Sequence, residues 1–218
     1  MTALELLVAG LSAVAAGAVN ALAGGGTLIS FPVLIALGVP PLGADITKAV
    51  ALCPGYFGAT LAQLKNLRGQ RARLIALIPA SILGGVAGGM ILVHTGERTF
   101  TALVPWMIMA ASVLLGVQEP VRAMVLRRSG NAPHRDRVHG VSVLAIAAAS
   151  IYGGFFSAGM SVLIVAVLGL TLTDTFTRLN ALKQVLAFNV NVAAVVYFLW
   201  SGHVIWSAAA VMAIGALL

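Results

Sequence analysis

Two lysines sit where an apolar chain has little use for charge. Lys48 falls in ADITKAVALC and Lys183 in NALKQVLAFN. Each lies near the start of a run of roughly 20 mostly apolar residues, the length that crosses about 30 Å of hydrocarbon as helix. An ionisable side chain inside such a run is costly and by default marks a functional position. The competing role is an ammonium that snorkels to the interface from a position near a span end. Buried, either ammonium would supply the counter-charge for an anion. Asp45 stands three residues before Lys48 and can pair with it along a helix. Asn180 shares a helical face with Lys183, whereas Asn189, two and a half turns beyond Asn180, lies on another face. An amide at 189 can instead bond across helices.

A second source of positive charge is the backbone. The stretch GAVNALAGGGTLISFPVLIALGVPP places Gly24, Gly25 and Gly26 together in apolar territory. A helix restarting after that run turns its first N–H groups, with their partial positive charge, toward whatever lies at the break. Glycine allows close approach there, and Thr27 adds a hydroxyl. Ser157 and Ser161 in SAGMSVLI stand at a similar break in the second half. The candidate substrate-binding set is therefore Gly24, Gly25, Gly26, Thr27, Lys48, Ser157, Ser161, Asn180, Lys183 and Asn189. Gly84, Gly85, Gly88 and Gly89 are expected instead to let helices pack closely.

Other chemistries lack their residues. No nucleophile–base motif, HExxH or phosphate loop occurs, and no Gly-Lys-Ser/Thr follows the glycine run. His134 and His139 share a loop without the rest of a metal-ligand set. The single cysteine, Cys53, excludes an internal disulfide and a CxxC pair. No catalytic residue, metal or cofactor is expected, and the chain is not expected to be an enzyme.

The elements that must position these groups are membrane helices. The chain is 60% hydrophobic and 9% charged, with mean hydropathy +1.03. Ordinary soluble domains are about 25% charged, so lipid is the expected solvent. Spans are expected near 4–23, 46–64, 74–93, 99–117, 139–158 and 181–200, with an apolar segment from 204 to 218. The pieces 27–38 and 161–170 are too short to cross as helix. Each follows a break and precedes a polar turn and a full span, which makes them half-helix candidates. The fold expected is all-α, a polytopic membrane helix bundle of two repeated halves, each opening with a broken or re-entrant helix pair. The halves are 1–117 and 139–218, the second read as incomplete, around a basic linker at 118–138. Weak internal symmetry of this kind is typical of secondary transporters. Parallel and inverted relations between the halves both remain open.

Net charge is +7, but its placement is more informative. Lys65, Arg68, Arg71 and Arg73 form one cluster, and five arginines lie between 122 and 137. Such segments stay cytoplasmic, which puts the linker in the cytoplasm and the chain in the inner (cell) membrane. No aromatic platform accompanies the basic residues, so nucleic acid is not an expected partner. The expected partners are the lipid bilayer and a small anionic substrate. A homo-oligomer is compatible with these features and not required by them.

The stretch from Gly17 through Thr47 resembles the opening signature of the TauE/SafE, or sulfite exporter, family of membrane permeases. The similar features are Gly17, Asn20, the run from Ala23, Pro32, Gly38, Pro40, Pro41, Ala44 and Thr47. IYGGFFSAGMSVLIVAVLGL and the Asn180-Ala181-Leu182-Lys183 element resemble the family's second-half motifs, and Asn189, Gly202 and Trp206 fall where that pattern expects them. The resemblance implies a multi-span carrier of sulfite, organosulfonates or other small organic anions. Asp45, Lys48, Ser157 and Ser161 depart from the residues more usual there, and family members usually continue beyond residue 218. The alternative is a non-transporting membrane assembly or scaffold subunit.

Overall fold

The computed structural model describes residues 1–22, 26–129 and 138–217. Gly24, Gly25 and His134 lie outside the described residues. Every regular element described is helical: α1 (Ala3–Leu22), α2 (Thr27–Ala36), α3 (Pro41–Ala62), α4 (Arg71–Thr95), α5 (Glu97–Gly116), α6 (Gln118–Ser129), α7 (Gly140–Phe155), α8 (Met160–Thr171), α9 (Phe176–Phe198) and α10 (Trp206–Leu217). A short 3-10 turn at Leu64–Leu67 joins α3 to α4. Hydrocarbon offers the backbone no partners, so helices that satisfy their own N–H and C=O groups are the available solution. Prolines 32, 54, 79 and 105 all sit inside helices.

Among the described residues three helical stretches are long and apolar enough to cross a membrane: Arg71–Thr95, Glu97–Arg127 and Phe176–Phe198. They differ in what surrounds them. Two-thirds of the apolar window of α9 (67%) is buried, against 17% for α5 running into α6. Helix α9 is therefore enclosed by protein, while α5 turns Leu103, Trp106, Met109 and Val113 outward. Helices α2 and α8 have ten and twelve residues, about 15 and 18 Å of helix, well short of about 30 Å of hydrocarbon.

Boundaries differ from the sequence expectation in three places. Helix α3 already begins at Pro41, because proline at the first helical position forfeits only an N–H that has no intrahelical partner. Helix α9 begins at Phe176, with the Thr175 hydroxyl accepting from the Arg178 N–H at 3.4 Å. The polar stretch after residue 117 starts as helix α6, which seats Val125 on α8. A Cβ on Gly169 would lie 2.1 Å from a Val125 methyl.

Glycines set the closest contacts, as expected for small residues between membrane helices. Gly84 faces Ala147 and Ser150 of α7, and Gly88 faces Ile151 to Phe155. Residue numbers rise together, so α4 and α7 run parallel. Gly10 meets Val211 and Gly17 meets Ala216, which makes α1 and α10 parallel as well. Between these pairs α3 and α9 run antiparallel. Near the start of α3, Thr47 Oγ1 accepts from Ile205 N at 3.0 Å, in the connection from α9 to α10. Near its end, the Thr60 hydroxyl donates to the Gln184 carbonyl at 3.5 Å.

One end of the bundle is tied by buried charge. Asp174, in the turn before α9, accepts at Oδ2 from Arg73 Nη1 at 2.5 Å and from Arg178 Nε at 2.9 Å. Arg178 also donates to the Arg68 carbonyl at 2.9 Å, and Gln70 Nε2 donates to the Arg178 carbonyl at 3.0 Å. The basic segment 65–73 is thereby fastened to the α8–α9 turn. Burial pushes the Asp174 carboxyl up, but hydrogen bonds from Arg178, Arg73 and the Thr175 N–H outweigh it and hold the group below its ordinary value of 3.8.

Candidate functional site

The site grows from the α7–α8 break. Helix α7 ends at Phe155, the chain passes extended through Phe156, and Gly159 takes a left-handed conformation (φ +79°) before α8 starts. Such a φ suits glycine, which has no Cβ to clash. The Tyr152 hydroxyl closes the break by donating to the Ala158 carbonyl at 2.7 Å. The N-cap residues of α8 and α2 are Gly159 and Gly26, so neither supplies a side-chain cap. Both helices therefore present N–H groups without an N-cap side-chain acceptor.

Ser161, in the first turn of α8, lines a cleft of about 110 Å³ with Asn180 and Lys183 of α9 and with Gln118 and Arg122 of α6. Its walls are Val121, Val162, Val165 and Phe176. That is several times the roughly 10–15 Å³ a single water needs. Lys183 is 6% exposed. Among the described residues no carboxylate lies within ion-pair distance of its ammonium. Arg122 stands at the more open side, half-exposed, with its guanidinium 5.4 Å from the Phe176 ring centre. A buried ammonium without a counter-ion is costly. An anion entering here would meet the Lys183 ammonium, the Arg122 guanidinium (3.6 Å from the Glu119 carboxylate), a hydroxyl, two amides and the N-terminal end of α8.

Lys48 has the opposite arrangement. It is fully buried and paired with the equally buried Asp45. Its Nζ lies 5.1 Å from the Phe31 ring centre and 5.2 Å from that of Phe156, and those two rings meet edge to face at 5.4 Å. Phe31 comes from α2 and Phe156 from the α7–α8 break, so the Lys48 pair sits where the two short-helix elements meet. Asp45 and Lys48 are four and seven residues past the first residue of α3, and Asn180 and Lys183 hold the same offsets in α9. The two central helices thus carry one pattern, acid-x-x-Lys in the first and amide-x-x-Lys in the second.

Of the sequence-derived candidates, Ser161, Asn180 and Lys183 are brought together. Ser157 is buried within the break but does not line the cleft. Gly26 directly precedes α2, packed so closely on α1 that a Cβ would lie 1.9 Å from the Ala16 carbonyl oxygen. Thr27 is buried on α2 with its hydroxyl unpartnered, as is that of Ser30 one turn on. Asn189 turns away from Asn180 and donates to the Val185 carbonyl of its own helix at 2.8 Å. Sequence reasoning missed Gln118 and Arg122, because the basic run around them read as a solvated linker. It also missed Gln184 and Asn191, buried on α9 with Gln184 Nε2 and Asn191 Oδ1 unpartnered. At 100° per residue both fall within about 40° of Asn180, a signal available from the sequence.

A bundle of apolar helices, three stretches of it among the described residues long and apolar enough to span, is the architecture of a multi-pass membrane protein. The family model for the sulfite exporter TauE/SafE matches residues 9–218, and the chain belongs to that family. It is 23% identical over 209 residues to the probable membrane transporter protein YfcA of Escherichia coli K12, covering 93% of this chain and 73% of that one. It is 25% identical over 206 residues to a probable membrane transporter protein of Haemophilus influenzae, covering 92% and 76%. The probable membrane transporter protein ORF9 of a Sinorhizobium species is 25% identical over 207 residues, covering 92% and 74%. The family and these relatives are named for transport and not for catalysis. No solved structure matches significantly.

Proposed function

We propose that the chain is a secondary carrier for a small anion such as sulfite or an organosulfonate, binding it at Lys183 and working by alternating access. The observation that carries this is the buried Lys183 ammonium, which has no carboxylate partner among the described residues and shares a cleft with Ser161 and Asn180. Charge-assisted hydrogen bonds from an ammonium, a hydroxyl and a helix N-terminus suit a compact oxyanion. The family's name, sulfite exporter, points to the same substrate class.

Two repeated halves, 1–117 and 139–218, are inverted relative to each other on this account. Supporting it are the parallel pairing of α4 with α7 and of α1 with α10, and the antiparallel α3 and α9 at the centre. An axis relating α1 to α7, α2 to α8, α3 to α9 and α4 to α10 maps those contacts onto one another. Helices α2 and α8 are the broken, re-entrant elements, since non-helical backbone at membrane depth is tolerated only inside protein. The end bearing Arg68, Arg71 and Arg73 and the linker at 118–138 face the cytoplasm of an inner membrane.

The test is flux into proteoliposomes containing the purified chain. Labelled sulfite or methanesulfonate should exchange with internal anion well above protein-free vesicles. Exchange no faster than in protein-free vesicles would leave the carrier account without support and favour a scaffold subunit.

A further inference from the structure

We propose that Asp45 is the proton-coupling carboxylate of this carrier, so that the transported anion engages Lys48 only when Asp45 has taken up a proton. The proposal rests on the carrier reading and on the equivalence of the Asp45–Lys48 and Asn180–Lys183 pairs. A protonated Asp45 has the shape and neutrality of an amide. With it, Lys48 becomes what Lys183 already is, a buried ammonium needing an external anion. In an inverted repeat, the half that is closed in one state is the open half in the other. The Lys48 box would then become the anion-accessible site when the carrier faces the opposite side.

The charge balance enforces the coupling. In the structure the pair is neutral, with Asp45 and Lys48 buried together. Protonating Asp45 alone leaves one uncompensated positive charge, and bringing in an anion alone leaves one uncompensated negative charge. Each is costly in a buried setting. Adding the proton and a monovalent anion together returns the site to neutrality: the proton bonds to an Asp45 carboxylate oxygen, and the anion takes its place beside Nζ. Lys48 does not give up its own proton in this scheme, because the faces of Phe31 and Phe156 favour the ammonium. Thr27 and Ser30, on the helix that carries Phe31, hold buried hydroxyls with no partner among the described residues.

The surroundings leave Asp45 as the group that titrates with transport. On its own helix the other titratable groups are Lys48, Cys53 and Tyr56. Of the elements packed against α3, α5 contributes Arg98 and Glu97, the latter with a carboxylate that accepts from the Leu42 N–H at 3.2 Å. Helix α7 contributes Tyr152, which interacts electrostatically with Asp45. Helix α9 carries Arg178, Lys183 and Tyr197, the 3-10 turn Lys65, and α1 Glu5. His203, in the α9–α10 turn, presents its carbonyl toward Gly43. Helices α2 and α10 carry no titratable side chain among their described residues.

Methanesulfonate is the probe, because it stays ionised and cannot carry the proton itself. In proteoliposomes with the outside made acidic, the wild-type chain should accumulate labelled methanesulfonate and acidify a trapped pH dye, with one proton entering per anion. Asp45→Asn should lower the ratio of gradient-driven accumulation to anion exchange by roughly tenfold or more, and Asp45→Glu should restore it in part. Wild-type flux without dye acidification overturns the proposal, and this arm holds even if Asp45→Asn fails to fold. Gradient-driven accumulation by Asp45→Asn equal to wild type also overturns it. Exchange that ignores the gradient refutes coupling alone, whereas no exchange at all in the wild type removes the carrier reading with it.

Discussion

Changing Asn180 to Asp tests the chemistry assigned to the cleft. Asn180 precedes Lys183 by three residues on α9, as Asp45 precedes Lys48 on α3, where the carboxylate and ammonium are in direct contact. A carboxylate at 180 would give Lys183 a built-in counter-ion. An anion bound on the far side of that ammonium would then lie about 6 Å from a second negative charge. At an effective dielectric near 20 this repulsion is roughly 3 kcal/mol, on the order of a 100-fold loss of affinity. The assay is the concentration of methanesulfonate giving half-maximal exchange in proteoliposomes, for wild type and Asn180→Asp side by side at pH 8. Because the new carboxylate is neutralised by protons, the gap between the two proteins should narrow as pH falls. An affinity for the variant within twofold of wild type at pH 8 would refute the argument that Lys183 acts as an unpaired cation.

Further outcomes follow from the packing and the charge network. Asp174→Asn leaves Arg73 buried without its carboxylate and should lower stability by about 3–5 kcal/mol, read as a reduced Tm in detergent. The same carboxyl titrates below 3.8 when folded, so its contribution is fully present above the unfolded-state value and is lost as pH falls through the folded one. Wild type should lose Tm more steeply than Asp174→Asn on acidification below about pH 4. Gly88→Ala would place a Cβ 2.1 Å from the Ile151 carbonyl oxygen and should destabilise by at least about 1–3 kcal/mol. Gly116→Ala, with nothing within 4 Å, should leave Tm unchanged or slightly raised.

Much of this arrangement was legible in the chain. Helical periodicity alone put Asn180 and Lys183 on one face and Asn189 on another. The four glycines of α4 were readable as packing surfaces, since small residues grouped at helical spacing in apolar sequence have few other uses. The short pieces after the breaks were visible from length. Less accessible were contacts between segments distant in sequence. Arg122 reaches the cleft only because α5 continues as α6 and Val125 docks on Gly169, and nothing local to QEPVRAMVLRR announces that partner. The Asp45 partner that sets Lys48 apart from Lys183 was readable from its i, i+3 spacing. What the sequence did not show is the Phe31–Phe156 box around Lys48, built by residues 125 positions apart in the chain.

Binding at Lys183 is the central claim, and its most direct measurement is the thermal shift produced by sulfite or methanesulfonate in detergent for wild type and Lys183→Met. The anion should raise the wild-type Tm in a saturable way and leave the Lys183→Met Tm unmoved. The variant's Tm without anion should equal or exceed that of wild type, because replacing an uncompensated buried charge by an apolar chain of similar size removes a desolvation cost. An anion-induced shift in Lys183→Met as large as that of wild type would contradict the account.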